Sequence, residues 1–230
     1  MINPQKNLNN INPLIDTDRV EIVFYTDPLC CWSWALFPEL LRLRADFEDL
    51  VTISYCMGGL IKDWNNFADP LNNVSQPSQM GPIWMEAAQK TGTNFSHYLW
   101  VDDPPTSSYP ACIAVKTAGL QSLLAEELYF KNIAEAAMLN GMNISKPEVL
   151  VQIAQQLSEE FPNIFDLSHF LQNYNNEESR DAFRQDLQKI KSNSIGRFPT
   201  VTMAYRQKKI MFTGYRSYDV LLDAFSKIRD

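Results

Sequence analysis

The stretch 19–38, RVEIVFYTDPLCCWSWALFP, constrains the fold more than any other part of the chain. Val20, Ile22, Val23, Phe24 and Tyr25 form a β-branched and aromatic run, the composition of a buried strand. Thr26, Asp27, Pro28 and Leu29 make a short turn, and Cys30 stands where the chain enters a helix. A thiol in that place faces unpaired backbone N–H groups and the positive end of the helix dipole, so its pKa is expected to fall. Pro38 lies inside the same helix and predicts a bend there.

The rest of the chain supplies partners for this unit. The first helix is predicted over 31–47, with Leu36, Leu40, Leu43 and Phe47 on one face. Residues 50–57 alternate as a second strand, Val51, Ile53, Tyr55 and Met57 against Thr52, Ser54 and Cys56. Two such strands joined through a helix make a parallel βαβ unit. Gly58-Gly59 ends it, and a loop rich in Asn, Pro and Ser runs to about residue 80. Helical patterns then extend from 78 to 192. Met80, Ile83, Trp84, Ala87 and Ala88 give one short face. Pro110 opens a stretch to 139, read as two helices meeting near Glu126. Ser145-Lys146-Pro147-Glu148 reads as a capping box, and helices follow over 166–174 and 177–192. Strands return at Thr200–Tyr205 and Ile210–Thr213, joined by a polar turn at Gln207-Lys208-Lys209, and Ser217 caps a last helix. The expected organisation is an α/β fold of order β-α-β … β-β-α with an all-helical domain inserted after the second strand. Its parts are a flexible leader over 1–18, a first half over 19–76, the insertion over 77–194 and a second half over 195–230.

Composition narrows the function. A net charge of −7 argues against nucleic acid or an anionic membrane surface as partner. No apolar run approaches the ~20 residues that span a bilayer. The polar, Asn-rich start lacks the basic and apolar regions of a signal peptide, so the cytosol is the expected compartment. Four cysteines, Cys30, Cys31, Cys56 and Cys112, are too few for a disulfide scaffold in 230 residues. None has zinc-ligand spacing, and His97 and His169 lie far from them, so no metal is expected.

A second informative stretch is Gly196-Arg197-Phe198-Pro199-Thr200. A proline directly before a strand that must pair is unusual, because it cannot donate to the ladder. Opposite a cysteine in a βα … ββα pattern, it is expected to be a cis-proline beside the thiol that aligns an incoming chain for β-type pairing.

At this point the chain resembles a known family, the thioredoxin-fold proteins of the DsbA class, and among them the cytosolic FrnE-like branch and the SpxH-type adaptors of ClpXP. The resemblance rests on Asp27-Pro28-Leu29-Cys30-Cys31-Trp32-Ser33-Trp34, Gly58-Gly59-Leu60, Tyr109-Pro110-Ala111, Phe198-Pro199-Thr200 and Gly214-Tyr215-Arg216. It implies that Cys30 is the attacking thiol, with Trp32, Phe198, Pro199, Thr200, Tyr215 and Arg216 around the substrate. The family motif is Cys-x-x-Cys, however, and Ser33 stands in the resolving place. A serine cannot close a disulfide, so another thiol must release a mixed disulfide at Cys30. Adjacent Cys31 can pair with Cys30 only in a strained ring. Cys56 and Cys112 are the other possible resolving thiols, though each reads first as a small buried hydrophobe.

Three functions follow from the resemblance. The first is a monothiol oxidoreductase or isomerase, acting through Cys30 and Ser33 on thiol- or disulfide-bearing client proteins, with no cofactor and with glutathione as a possible co-substrate. The second is a non-catalytic adaptor that binds a partner in the same groove. The third is a glutathione-dependent transferase or isomerase of the kappa type, whose motif shares Ser33 and Trp34. Gly214-Tyr215-Arg216-Ser217 lacks the acid with which that branch holds glutathione.

Overall fold

The computed structural model describes residues 18–96 and 98–230; the leader expected over 1–18, apart from Asp18, and His97 lie outside them. Strands β1 (Val20–Thr26) and β2 (Val51–Met57) are parallel and joined through helix α1 (Cys31–Asp46). Strands β3 (Thr200–Tyr205) and β4 (Lys208–Thr213) form an antiparallel hairpin, and β3 pairs with β1, giving the order β2-β1-β3-β4. Among the described residues, seven α-helices lie between β2 and β3: α2 (Met80–Thr91), α3 (Leu99–Asp102), α4 (Tyr109–Gly119), α5 (Leu123–Met138), α6 (Pro147–Glu160), α7 (Leu167–Asn173) and α8 (Glu177–Ser192). Helix α9 (Tyr218–Arg229) ends the chain and packs against α1. This is the thioredoxin-like fold with a helical insertion that the sequence predicts.

The sheet centre is apolar because β1 is buried over most of its length, as its Val, Ile, Phe and Tyr content requires. Phe24, Phe37, Tyr55 and Phe130 cluster there, with Phe37 and Phe130 edge to face at 5.3 Å. Leu36, Leu40 and Leu43 of α1 are fully buried, and Pro38 faces solvent.

The insertion also finishes the sheet. Strand β2 is an edge strand, and an open edge leaves backbone groups unpaired. Here Asp186 of α8 accepts the Met57 N–H at 2.8 Å, and Lys116 of α4 reaches the Tyr55 carbonyl at 3.4 Å. Lys116 is paired with Glu126 at 2.6 Å and Asp186 at 3.2 Å. On the same strand the Tyr55 hydroxyl donates to Glu127 at 2.5 Å, and Arg44 holds both oxygens of that carboxylate.

Local expectations are corrected in four places. The break in 110–139 falls at Leu120–Ser122, because Ser122 accepts the Ala125 N–H and starts α5; Glu126 is inside its first turn. Lys146 is the cap of α6, since the Ser145 hydroxyl donates to Asn143 and forms no capping box. Ser217 caps α9 by position without a side-chain hydrogen bond. The hairpin turn is only Arg206-Gln207, with Arg206 at φ 53°; Lys208 and Lys209 already pair with Tyr205 and Ala204. No helix among the described residues is long and apolar enough to cross a membrane.

Candidate functional site

The site begins where β1 ends. The Asp27 carboxylate accepts the Leu29 N–H at 2.9 Å and its carbonyl accepts the Cys30 N–H at 2.9 Å, so the turn is locked by its own acid. Cys30 then occupies the N-cap of α1. The register Tyr25↔Thr200 brings the next residues, Thr26 and Pro199, level with each other. The Phe198–Pro199 peptide is cis, and the Pro199 carbonyl accepts the Gly214 N–H at 2.8 Å, joining this loop to the end of β4.

Two glycines make room for that arrangement. A Cβ on Gly58 would lie 2.2 Å from the Phe198 ring, so the far end of the ring fills the space a side chain would take. Gly59 has φ +61°, and a Cβ there would come within 2.7 Å of Tyr109.

A cavity of about 810 Å³ opens over Cys30. Its floor is Leu29, Cys30, Cys31 and Trp32. One wall is Gly196, Arg197, Phe198, Thr213, Gly214 and Tyr215. The other comes from the loop after β2, with Phe67, Pro70 and Leu71, and from α2, with Met80 and Ile83. Lys90 bonds Glu86 at 2.5 Å and sits 5.8 Å from the centre of the Trp32 ring. Leu71 is 72% exposed on the rim, a large apolar side chain held in water.

The predicted residues separate on this geometry. Cys30, Cys31, Trp32, Phe198 and Tyr215 share the cavity. Pro199, Thr200 and Arg216 are not lining residues. Pro199 and Thr200 are buried, and the Thr200 hydroxyl donates to the Arg197 carbonyl at 2.8 Å. Arg216 turns back to the carbonyl of Tyr215 at 2.8 Å. Cys56 and Cys112, offered as resolving thiols, are both 0% exposed. Cys56 donates to the Asp186 carbonyl at 3.5 Å and Cys112 to Asp27 at 3.4 Å, so both are fixed structural thiols. All four cysteines are free. Trp34 is half-buried against the core.

The thiol itself corrects the sequence reading. Cys30 is 6% exposed, and burial pushes its pKa up to about 11. The Ser33 hydroxyl, then the N–H groups of Ser33 and Trp32, favour the thiolate, while Asp27 opposes it. The helix N-terminus therefore acts in the direction predicted but loses to desolvation. Ser33 is fully buried, and its hydroxyl has no hydrogen-bond partner in this state. Cys31 is also pushed well up, by burial and then by Cys30.

Two residues here are not singled out by the sequence. Asp27 reads there only as turn chemistry, although an acid before proline at a strand end is a turn-locking signal. Leu71 lies in an Asn-rich loop whose approach to Cys30 depends on tertiary packing; Trp64 and Phe67 of that loop fold back onto the core, as their aromatic character predicts, and Phe67 also lines the cavity.

The family model described as Thioredoxin matches residues 23–223. The chain belongs to the thioredoxin family. Among curated relatives of this thioredoxin-family chain, the ClpXP adapter protein SpxH of Halalkalibacterium halodurans is 26% identical over 87% of the chain. The chain spans 65% of that relative's length. Among solved structures, a Nitrosomonas europaea protein described as a disulfide isomerase superposes with a TM-score of 0.74. It has 19% identity and covers 91% of this chain and 98% of its own. The cytosolic disulfide reductase DsbM of Pseudomonas aeruginosa has a TM-score of 0.64 and 17% identity, covering 91% of this chain and 95% of its own. At those identities the structures establish the shared fold.

Proposed function

We propose that this thioredoxin-family chain is a protein-docking adaptor of the SpxH type, in which the groove over Cys30 holds a client segment and the cysteine does not turn over. The observation that carries this reading is the pairing of a buried Cys30, pushed up to about 11, with a serine in the resolving place. The groove keeps the shape of a redox site without its working thiolate. The apolar walls, Trp32, Phe67, Leu71 and Phe198, suit an unfolded or extended client segment, with a thiol or disulfide in the client facing Cys30. The likeness to an adapter of ClpXP supports the same role. No cofactor enters it, and a cytosolic place of work goes with it.

A second reading is monothiol exchange, favoured by the place of Cys30 on the groove floor with Phe198 in the facing wall. Cys30 thiolate would attack a protein or glutathione mixed disulfide, one thiol would leave, and an external thiol such as glutathione would release Cys30.

Proteolysis by ClpXP from the source organism distinguishes the two, followed by quantitative mass spectrometry of its protein substrates. Wild type and Cys30→Ser are expected to accelerate loss of the same clients, and Leu71→Asp to abolish the acceleration. Acceleration that disappears in Cys30→Ser, or is absent with wild type, refutes the adaptor reading.

A further inference from the structure

The groove over Cys30 is lined by the charged side chains Asp69, Glu86, Lys90 and Arg197. All but Arg197 are answered within the protein. Glu86 and Lys90 bond each other at 2.5 Å. Asp69 is turned into its own loop: one oxygen accepts the Leu71 N–H at 3.1 Å and the Asn72 N–H at 3.3 Å, and the other accepts the Asn72 side-chain amide at 2.5 Å. Arg197 stands exposed in the facing wall, and its guanidinium meets no carboxylate or carbonyl among the described residues. Arg216 adds a second cation to that wall. Its Nη1 donates to the Tyr215 carbonyl at 2.8 Å and lies 3.7 Å from where a Cβ on Gly214 would stand. Gly214 and Tyr215 both line the groove, so this guanidinium sits at the rim, half open to water, with no carboxylate partner among the described residues. Glu39, the acid that reaches this loop, accepts the Tyr215 hydroxyl at 3.4 Å instead. The Gly214 N–H bonds the Pro199 carbonyl at 2.8 Å, which ties the two arginine-bearing loops together.

We propose that the segment this groove takes is apolar and acidic: apolar side chains lie on Trp32, Phe67 and Leu71, and an Asp or Glu carboxylate is held by Arg197 and Arg216. The inference rests on the groove being a docking site for a polypeptide and names the class of polypeptide. An extended segment sends alternate side chains to opposite sides, so it can meet the apolar wall and the arginine wall together. A guanidinium presents a planar fork of donors that matches a carboxylate, so an arginine left without an acid inside the protein is complementary to an acid from outside. Complementary charge of this kind selects among partners more than it tightens any one of them. The molecule as a whole carries a net charge of −7, and its long-range field draws basic peptides. A preference for acidic ones therefore has to arise locally, at this wall.

The test immobilises the full chain at low salt and offers it an equimolar pool of synthetic peptides. Each is apolar at alternate positions and carries Glu, Gln or Lys at the positions between. Captured peptides are counted by mass spectrometry, and a thermal melt is recorded for each variant. The wild type is expected to enrich the Glu peptides over the Gln peptides by at least about threefold. The double variant Arg197→Gln, Arg216→Gln, both changes lying on solvated side chains, is expected to capture peptides without that preference. Capture by the wild type with no preference or with a preference for Lys overturns the inference and leaves docking in the groove standing. So does a natively melting double variant that still prefers Glu. Capture of none of the peptides by the wild type overturns the inference together with the docking reading beneath it.

Discussion

Burial and Ser33 act on the acidity of Cys30 in opposite senses. Cys30 stands at the N-cap of α1 and is surrounded like a core residue, and burial decides its protonation. With its pKa raised to about 11, the thiolate fraction grows about tenfold for each pH unit between 7 and 10, and alkylation of folded protein should rise in step. Ser33 is the largest opposing influence, so Ser33→Ala should slow alkylation at pH 8 several-fold without moving the melting temperature by more than a few degrees. A Ser33→Ala protein that labels as fast as wild type would remove the serine from the account. The sequence disclosed which sulfur and which serine meet, because both lie within one helical turn. It did not disclose the solvation of that sulfur, because Leu60, Phe67 and Phe198 arrive from segments distant along the chain.

At the scale of elements, the strand–turn–helix unit and the terminal hairpin were legible because their periodicities are strong. Junctions were less so: the α4–α5 break follows the Ser122 cap rather than the run of apolar residues, and the β3–β4 turn follows Arg206 rather than the polarity of two lysines. Gly58 was readable as a strand stop but not as a seat for the Phe198 ring. Gly58→Ala should displace that ring and destabilise the fold by roughly 1–3 kcal/mol, measured by chemical denaturation. A Gly58→Ala protein as stable as wild type would contradict the contact. The capped edge of β2 gives a second prediction at this scale. Asp186→Ala strips Met57 of its acceptor and Lys116 of one counter-charge, both out of water. A loss of roughly 3–5 kcal/mol is expected, and a loss below about 1 kcal/mol would show that the edge is not held this way.

In the whole molecule, the helical insertion does two jobs that follow from one placement. It completes the sheet at β2 through Lys116 and Asp186, and with the loop after β2 it raises the wall that buries Cys30 and clamps Asp27. On the proposed reading, the groove beneath this wall holds a polypeptide, and Cys30 on its floor stays protonated because burial disfavours the thiolate. The most direct measurement is the rate at which Cys30 exchanges with a chromogenic aromatic disulfide at pH 7, in the folded chain and in the same chain unfolded by denaturant. The account predicts at least about tenfold slower exchange in the folded state, because a sulfur pushed to about 11 presents far less thiolate than a free one. Faster exchange in the folded chain than in the unfolded one would contradict it and would make Cys30 a working nucleophile.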